Sequence, residues 1–330
     1  MDRDEDVVTE APAPAEAQAK GISDLLLAAG VARRFYLDGR SKVEIAEEFG
    51  MSRFKVARVL DFARESGIVR IDIRLPDGID AGLSETLRAA YGLRRVIVVD
   101  AGDGDQARVR ERIGVVAADL LADTLSEGDV LGLTWGRTVN VILTSLTRLP
   151  RCTTVQLNGV YSRRDPGPGT VETVQRAAAL SGGPAYPIYA PLILPDAATA
   201  RALRADPGVA AAFDRFGQVT TAVVSIGAWS EGLSTVYDAL DPAVRDAIAE
   251  QGVRAEMSTH LFDAEGREVC TELADRVLTV STRELRHIPE VIALAGGDGK
   301  AGAIDAALRS GLVSTLVTDS SVARALAGAL

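Results

Sequence analysis

The sequence predicts an α/β protein: a small helical N-terminal module, then a larger, doubly wound and mostly parallel α/β domain. Three observations predict it. The stretch Val43–Val59 carries small residues and a glycine where two helices would cross at a tight turn. From Leu83 onward, short apolar runs alternate with helical patterns, as in strands covered by helices on both faces. Charge is also unevenly divided. Arg33–Arg74 holds ten basic and seven acidic residues, a net +3, in a 330-residue chain of −10, which leaves −13 elsewhere.

Residues 1–20 are acidic and rich in Ala and Pro, so they read as a disordered tail. They lack the basic-then-apolar pattern of a secretory signal. Residues 21–75 read as one module. A first amphipathic helix is expected to present Leu25, Leu26, Ala29, Ala32, Arg33 and Tyr36. In the next pair, Ala46 is small where the second helix passes close. Gly50 can take the left-handed conformation of the turn, and Ser52 is placed as an N-cap. Val56, Val59, Leu60 and Ala63 fall on one face at helical spacing, while Phe54 and Arg58 point away with Lys55 on the flank. Gly67–Arg74 alternates like a strand, a candidate wing, which makes the module a winged helix-turn-helix. A helix offering Ser52, Arg53, Phe54, Lys55 and Arg58 from its first turns is built to enter a major groove. One basic module on an acidic body points to a local, site-specific contact with DNA. The competing reading is a helical hairpin with a solvated basic face.

Pro76–Gly82 reads as a turn-forming linker, and residues 83–330 as the second domain. Its expected strands are Val96–Val99, Val130–Leu133, Thr154–Leu157, Ala185–Ile188, Ala222–Ile226, Val291–Ala295 and Thr315–Thr318. Its expected helices are Arg108–Leu125, Arg137–Thr147, Val171–Leu180, Asp196–Ala205, Val209–Phe216, Pro242–Gln251, Lys300–Arg309 and Ser321–Ala329. The two cysteines, Cys152 and Cys270, have no paired spacing and read as buried small hydrophobes. With only His260 and His287 for imidazoles, no metal centre and no cofactor are expected. No apolar run reaches the ~20 residues of a membrane span, so no membrane partner and a cytoplasmic location are expected.

Ligands of such folds sit beyond the carboxyl ends of the strands, so the loops there are the candidates. In Gly132-Leu-Thr-Trp-Gly-Arg-Thr-Val-Asn140, a strand ends at Thr134, Trp135-Gly136 turns, and Arg137 and Thr138 open a helix. Free N–H groups at such a start, beside a hydroxyl and a guanidinium, make an anion pocket. Trp135 is either a platform for a sugar face or a core residue closing the turn. Asn158 and Gly159 lead into a long loop, Val160–Gly169, with Arg163 and Arg164; it is either a binding lid or a surface excursion. Gly296, Gly297 and Lys300 lie in Ala295-Gly-Gly-Asp-Gly-Lys-Ala-Gly302. Residues 297–302 match a Gly-x-Gly-x-x-Gly dinucleotide pattern, but too little chain follows for the usual nucleotide-binding half. A phosphate on the helix start, with Lys300 as counter-charge, suits the same residues. Glu256 is a lone carboxylate, either a surface charge or a partner for sugar hydroxyls.

With these pieces in order, the chain from Leu25 to Leu330 resembles the SorC family of sugar-responsive bacterial transcriptional regulators, with a DeoR-like helix-turn-helix. The resemblance rests on Ile45-Ala-Glu-Glu-Phe-Gly-Met-Ser-Arg53, Ala63-Arg-Glu-Ser-Gly-Ile-Val-Arg-Ile71, Gly132-Leu-Thr-Trp-Gly-Arg-Thr138, Val155-Gln-Leu-Asn-Gly159, and Ala295-Gly-Gly-Asp-Gly-Lys-Ala-Gly-Ala-Ile304 through Leu316-Val-Thr-Asp319. It implies an effector domain similar to sugar-phosphate isomerases and deaminases. It also implies a homo-oligomer, a dimer or tetramer, whose grip on operator DNA changes when a sugar or sugar phosphate binds. By position it makes Thr134, Gly136, Arg137, Thr138, Glu256 and Lys300 effector contacts. Two departures, Thr134 where the family often has Ser and Asn158-Gly159-Val160 where it often has Gly-Gly, bear on which sugar binds.

The expected function is therefore a ligand-gated regulator of a carbohydrate-metabolism operon, not an enzyme. The alternative is a sugar-phosphate isomerase or deaminase with an accessory DNA-binding module. Glu256, Asp298 and Asp319 supply candidate bases, but no carboxylate and histidine stand at a spacing that pairs a base with its orienter.

Overall fold

A computed structural model of the protein describes residues 21–70, 78–102, 105–161 and 169–330. The expected tail, the second half of the expected wing, Pro76 and Asp77 of the expected linker, and Arg163 and Arg164 lie outside the described residues. The chain divides into two units, residues 1–73 and 74–330.

The first unit holds α1 (Ile22–Tyr36), α2 (Lys42–Glu48) and α3 (Arg53–Glu65). Ser41 and Glu44 form a reciprocal capping box on α2. Ser52 caps α3 by accepting the Lys55 N–H at 3.2 Å. Between them Gly50 takes φ 61°, the left-handed turn that only glycine adopts without steric cost. Ile45, Ala46, Val56, Leu60 and Ala63 close a small core with Ala28, Val31 and Ala32 of α1. The stripe on α1 thus differs from the expected one. Leu25 and Leu26 are exposed, at 38% and 69%, and the smaller Ala28 and Val31 face inward, because α1 and α3 pack closely enough to favour short side chains. The described part of the expected wing, Gly67–Arg70, is turn and bend rather than strand.

In the second unit α4 (Ala81–Tyr91) leads into β1 (Arg95–Val99), α5 (Gln106–Thr124), β2 (Val130–Leu133), α6 (Arg137–Ser145), β3 (Thr153–Gln156), α7 (Thr170–Ser181) and β4 (Ala185–Tyr186). Then come α8 (Ala197–Arg204), α9 (Pro207–Phe213), β5 (Thr221–Ala228), α10 (Thr235–Ala239), α11 (Pro242–Ala249), β6 (Ala255–Met257) and β7 (His260–Phe262). The chain closes with α12 (Thr282–His287), β8 (Glu290–Leu294), α13 (Ala301–Arg309), β9 (Thr315–Asp319) and α14 (Ser320–Ala327). The described end of the expected linker is part of this unit. Ile79 pairs with Val99, and Asp80 caps α4 by accepting the Leu83 N–H at 2.9 Å.

Seven strands form one parallel sheet in the order β1-β9-β8-β5-β2-β3-β4, and β6 and β7 add an antiparallel hairpin on β5. Successive side chains point to opposite faces, and both faces are covered. Ala222, Val224, Ala293 and Leu316 pack under α4, α13 and α14; Val223, Ile292 and Val317 pack under α5, α6 and α7. From β2 the chain moves outward to β3 and β4. It returns to β5 beside β2, then moves the other way through β8 to β9. Neighbouring strands whose onward connections part in opposite directions leave a crevice at their carboxyl ends.

Cys152 is buried as expected, but Cys270 is exposed. Its neighbour Val269 faces the small apolar cluster of Leu261 and Leu273, which leaves the thiol on the outer side. Among the described residues no helix is long and apolar enough to cross a membrane, and no group of His, Cys, Asp and Glu is arranged to hold a metal ion.

Candidate ligand cleft and nucleic-acid interface

A narrow cleft opens where β2, β5 and β8 end, the place where such sheets hold their ligands. Each wall comes from a different element. The start of α6, after β2, brings Gly136, Arg137 and Thr138. The end of β5 brings Ser225, Ile226 and Gly227, and the segment entering α10 brings Ser234 and Thr235. Glu256 comes from β6, Gly296 and Lys300 from the turn into α13, and Gln106 and Arg110 from α5. Helices α6 and α13 approach from opposite faces of the sheet, and no side chain caps either N-terminus. Their first N–H groups and helix dipoles favour negative charge in the cleft. Gly296 permits the turn into α13 because a Cβ there would stand 2.5 Å from Asp319 Oδ2. Asp319 Oδ2 in turn accepts the Gly297 N–H at 2.7 Å.

The charges are few and closely coupled. Lys300 Nζ donates to the carbonyl of Ile226 at 3.0 Å. Burial, then Arg137, push its pKa down to about 8, with Glu256 opposing them and Arg110 adding to them. Burial, followed by Arg137, also lowers the Arg110 pKa. Arg137 donates to the carbonyl of Gly232 at 2.6 Å. Glu256 is 7% exposed. Its Oε1 accepts the Thr259 N–H at 2.6 Å and its Oε2 accepts the Ser234 hydroxyl at 3.2 Å. Burial raises its pKa, while those two donors and Lys300 act the other way. The cleft thus offers cations and free N–H groups to an anion, and a fixed carboxylate to hydroxyl donors.

Six of the sequence-predicted residues meet in the cleft: Gly136, Arg137, Thr138, Glu256, Gly296 and Lys300. The others stand behind it. Thr134 is buried, and its hydroxyl donates to Val223 O at 3.1 Å. Trp135 is buried with its ring 4.7 Å from that of Tyr161, which is the core arrangement. Asn158 Oδ1 accepts the Trp135 N–H at 2.9 Å and so shapes the loop from below. The Gly159 N–H donates to Leu278 O at 2.7 Å, inside a backbone ladder. Gly297 lines a neighbouring cleft with Asp100, Asp105, Asp298 and Arg324. Sequence reasoning missed Gln106, Arg110, Ser225 and Ser234. Gln106 and Arg110 are four apart on one helix, but which face of that helix meets the cleft is set by packing.

In the first unit Arg53, Phe54, Lys55 and Arg58 of α3 and its N-cap Ser52 are all exposed, Phe54 at 76%. They flank the buried stripe of Val56, Leu60 and Ala63. An exposed aromatic among basic residues on the second helix of such a pair is suited to a DNA groove.

Residues 79–327 match the Sugar-bind family model, described as "Putative sugar-binding domain". The chain belongs to this family, in the class of SorC- and DeoR-like sugar-binding transcriptional regulators. It is similar to the uncharacterized transcriptional regulator YjhU of Escherichia coli K12, 29% identical over 302 residues that cover 88% of this chain and 91% of YjhU. The deoxyribonucleoside regulator of Bacillus subtilis 168 is 28% identical over 300 residues, 89% of this chain and 95% of that one. The crystal structure of the full-length sorbitol operon regulator SorC of Klebsiella pneumoniae shares the fold. Its TM-score is 0.71 at 22% identity, covering 92% of this chain and 99% of that one.

Proposed function

We propose that the protein is a cytoplasmic regulator of a carbohydrate-metabolism operon, binding operator DNA through residues 21–75 as a homo-oligomer. A phosphorylated sugar bound by residues 83–330 controls that binding. In this assignment the phosphate lies at the starts of α6 and α13 near Arg137 and Lys300, and Glu256 accepts a sugar hydroxyl. One observation carries it: two uncapped helix starts, three cations and one buried carboxylate converge on a single cleft. Anions are drawn to such starts, and a carboxylate held by two donors keeps lone pairs for sugar hydroxyls. The protein acts by binding and not by turnover. Its DNA face is Ser52, Arg53, Phe54, Lys55 and Arg58.

Calorimetric titration with matched sugar and sugar-phosphate pairs tests the assignment, alongside operator affinity and product analysis. Tighter binding of one phosphate, with a change in operator affinity and no product, is expected. Equal affinity for both members of every pair would turn the cleft into a neutral-sugar site, with Lys300 bonding a hydroxyl. Turnover of the bound sugar phosphate would make the protein an isomerase or deaminase.

A further inference from the structure

We infer that Arg110 of α5 sets the charge this cleft accepts, selecting a dianionic phosphate over a monoanion. The inference rests on the sugar-phosphate assignment above and concerns a residue outside the loops that suggest it. Helix α5 carries Arg108, Arg110 and Arg112; the first and last are exposed, whereas Arg110 is half-buried and lines the cleft. Its hydrogen-bond acceptor is Gln106 Oε1, at 3.5 Å on the preceding turn. Arg137 and Lys300 likewise donate to neutral carbonyls, those of Gly232 and Ile226. Among the described residues no carboxylate lies within ion-pair distance of any of the three. Glu256, the cleft's own carboxylate, is already claimed by Thr259 and Ser234.

The lining therefore carries three cationic side chains and one carboxylate, a net charge of two when that carboxylate is ionised. Arg110 and Arg137 repel each other and both act against the charge on Lys300, with Asp105, the N-cap of α5, a minor counterweight to Arg110. Like charges gathered in a partly buried site are unfavourable until a counter-ion of matching charge arrives. The net of two matches a fully ionised phosphate monoester, whose second pKa is about 6. Without Arg110 the lining would match a monoanion. Arginine also suits phosphate geometry through its planar fork of donors.

Inorganic phosphate is the probe, titrated calorimetrically into the full-length protein at pH 5 and pH 7, with acetate as the monoanion control. Wild type is expected to bind phosphate more tightly at pH 7 than at pH 5, and acetate weakly at both. Arg110→Gln should lose about tenfold in phosphate affinity at pH 7, the loss of one charge-assisted contact, and should lose the gain with pH. Arg110→Lys should keep that gain, and Arg108→Gln, on the exposed face of α5, should match wild type. Failure of wild type to bind phosphate at all would overturn both the sugar-phosphate assignment and this inference. Phosphate binding in which Arg110→Gln keeps the affinity and its rise with pH would overturn this inference alone. So would an Arg110→Lys protein, folded by circular dichroism, that loses the rise.

Discussion

Glu256 is tied to Thr259: its Oε1 accepts the Thr259 backbone N–H at 2.6 Å. Thr259 belongs to the two-residue turn between β6 and β7, and both turn residues have positive φ, 55° at Ser258 and 71° at Thr259. Hairpins favour that backbone but usually fill it with Asn and Gly. Here a β-branched residue takes it, at a cost of order 1–3 kcal/mol. The surroundings hold it there. Besides the carboxylate, the Thr279 hydroxyl donates to Ser258 O at 2.9 Å. The orientation of the cleft's carboxylate thus depends on a strained turn.

The Ser258 hydroxyl is buried without a hydrogen-bond partner among the described residues. A buried unmade hydrogen bond costs about 1–3 kcal/mol. Ser258→Ala should therefore stabilise the fold by about 1 kcal/mol, read as a higher denaturation midpoint with unchanged slope. A midpoint equal to or below that of wild type would show that the hydroxyl is satisfied.

Arg58 is exposed on α3 beside Lys55 and Phe54. Arg58→Ala should weaken operator binding by about 1–3 kcal/mol if it reaches a base edge, while leaving effector binding intact. Filter binding or fluorescence anisotropy at fixed salt measures this. Unchanged operator affinity would place the recognition surface elsewhere.

A single helix-turn-helix module buries too little surface for tight specific binding. The protein should therefore be at least a dimer and bind a roughly two-fold symmetric site. Light scattering at micromolar concentration, with and without operator, checks it; a monomer under both conditions contradicts it.

The sheet was largely legible because its strands are buried on both faces. All seven expected strands lie in the parallel sheet, although β4 stops at Tyr186 and does not reach Ile188. The hairpin β6–β7 was not foreseen, since Ser258-Thr259 lacks the glycine or asparagine that marks a primed turn. Helix α4 was hidden by Pro76 and Gly78, which read as linker while Asp80 was already its cap. In the cleft, residues next to a helix start could be found from the turn itself. Arg110 and Ser234 could not, because they reach the cleft only through the packing of α5 against α6 and the fold of the segment after β5. Thr134 and Asn158 were named from the same loops but lie on their buried underside, where their polar groups bond backbone groups.

Lys300 makes the cleft sensitive to pH. Its pKa in the folded protein falls from 10.5 to about 8, chiefly through burial. The unfolded chain thus holds more protons between these values, so stability contributed by this group rises with pH across that window. Below pH 8 the buried charge costs on the order of 3 kcal/mol, and the cost is relieved as pH approaches 10.5. Lys300→Met should remove this dependence and stabilise the free protein near neutrality. For an anionic ligand the sign reverses. A bound phosphate favours the charged amine and raises its pKa, so binding above pH 8 takes up a proton. Phosphate affinity should therefore fall as pH rises beyond about 8, by up to about tenfold per unit. Titration in two buffers of different ionisation enthalpy should show that uptake in wild type and its loss in Lys300→Met. Phosphate affinity constant from pH 7 to pH 9.5, with no proton exchanged, would mean that Lys300 does not face the bound anion.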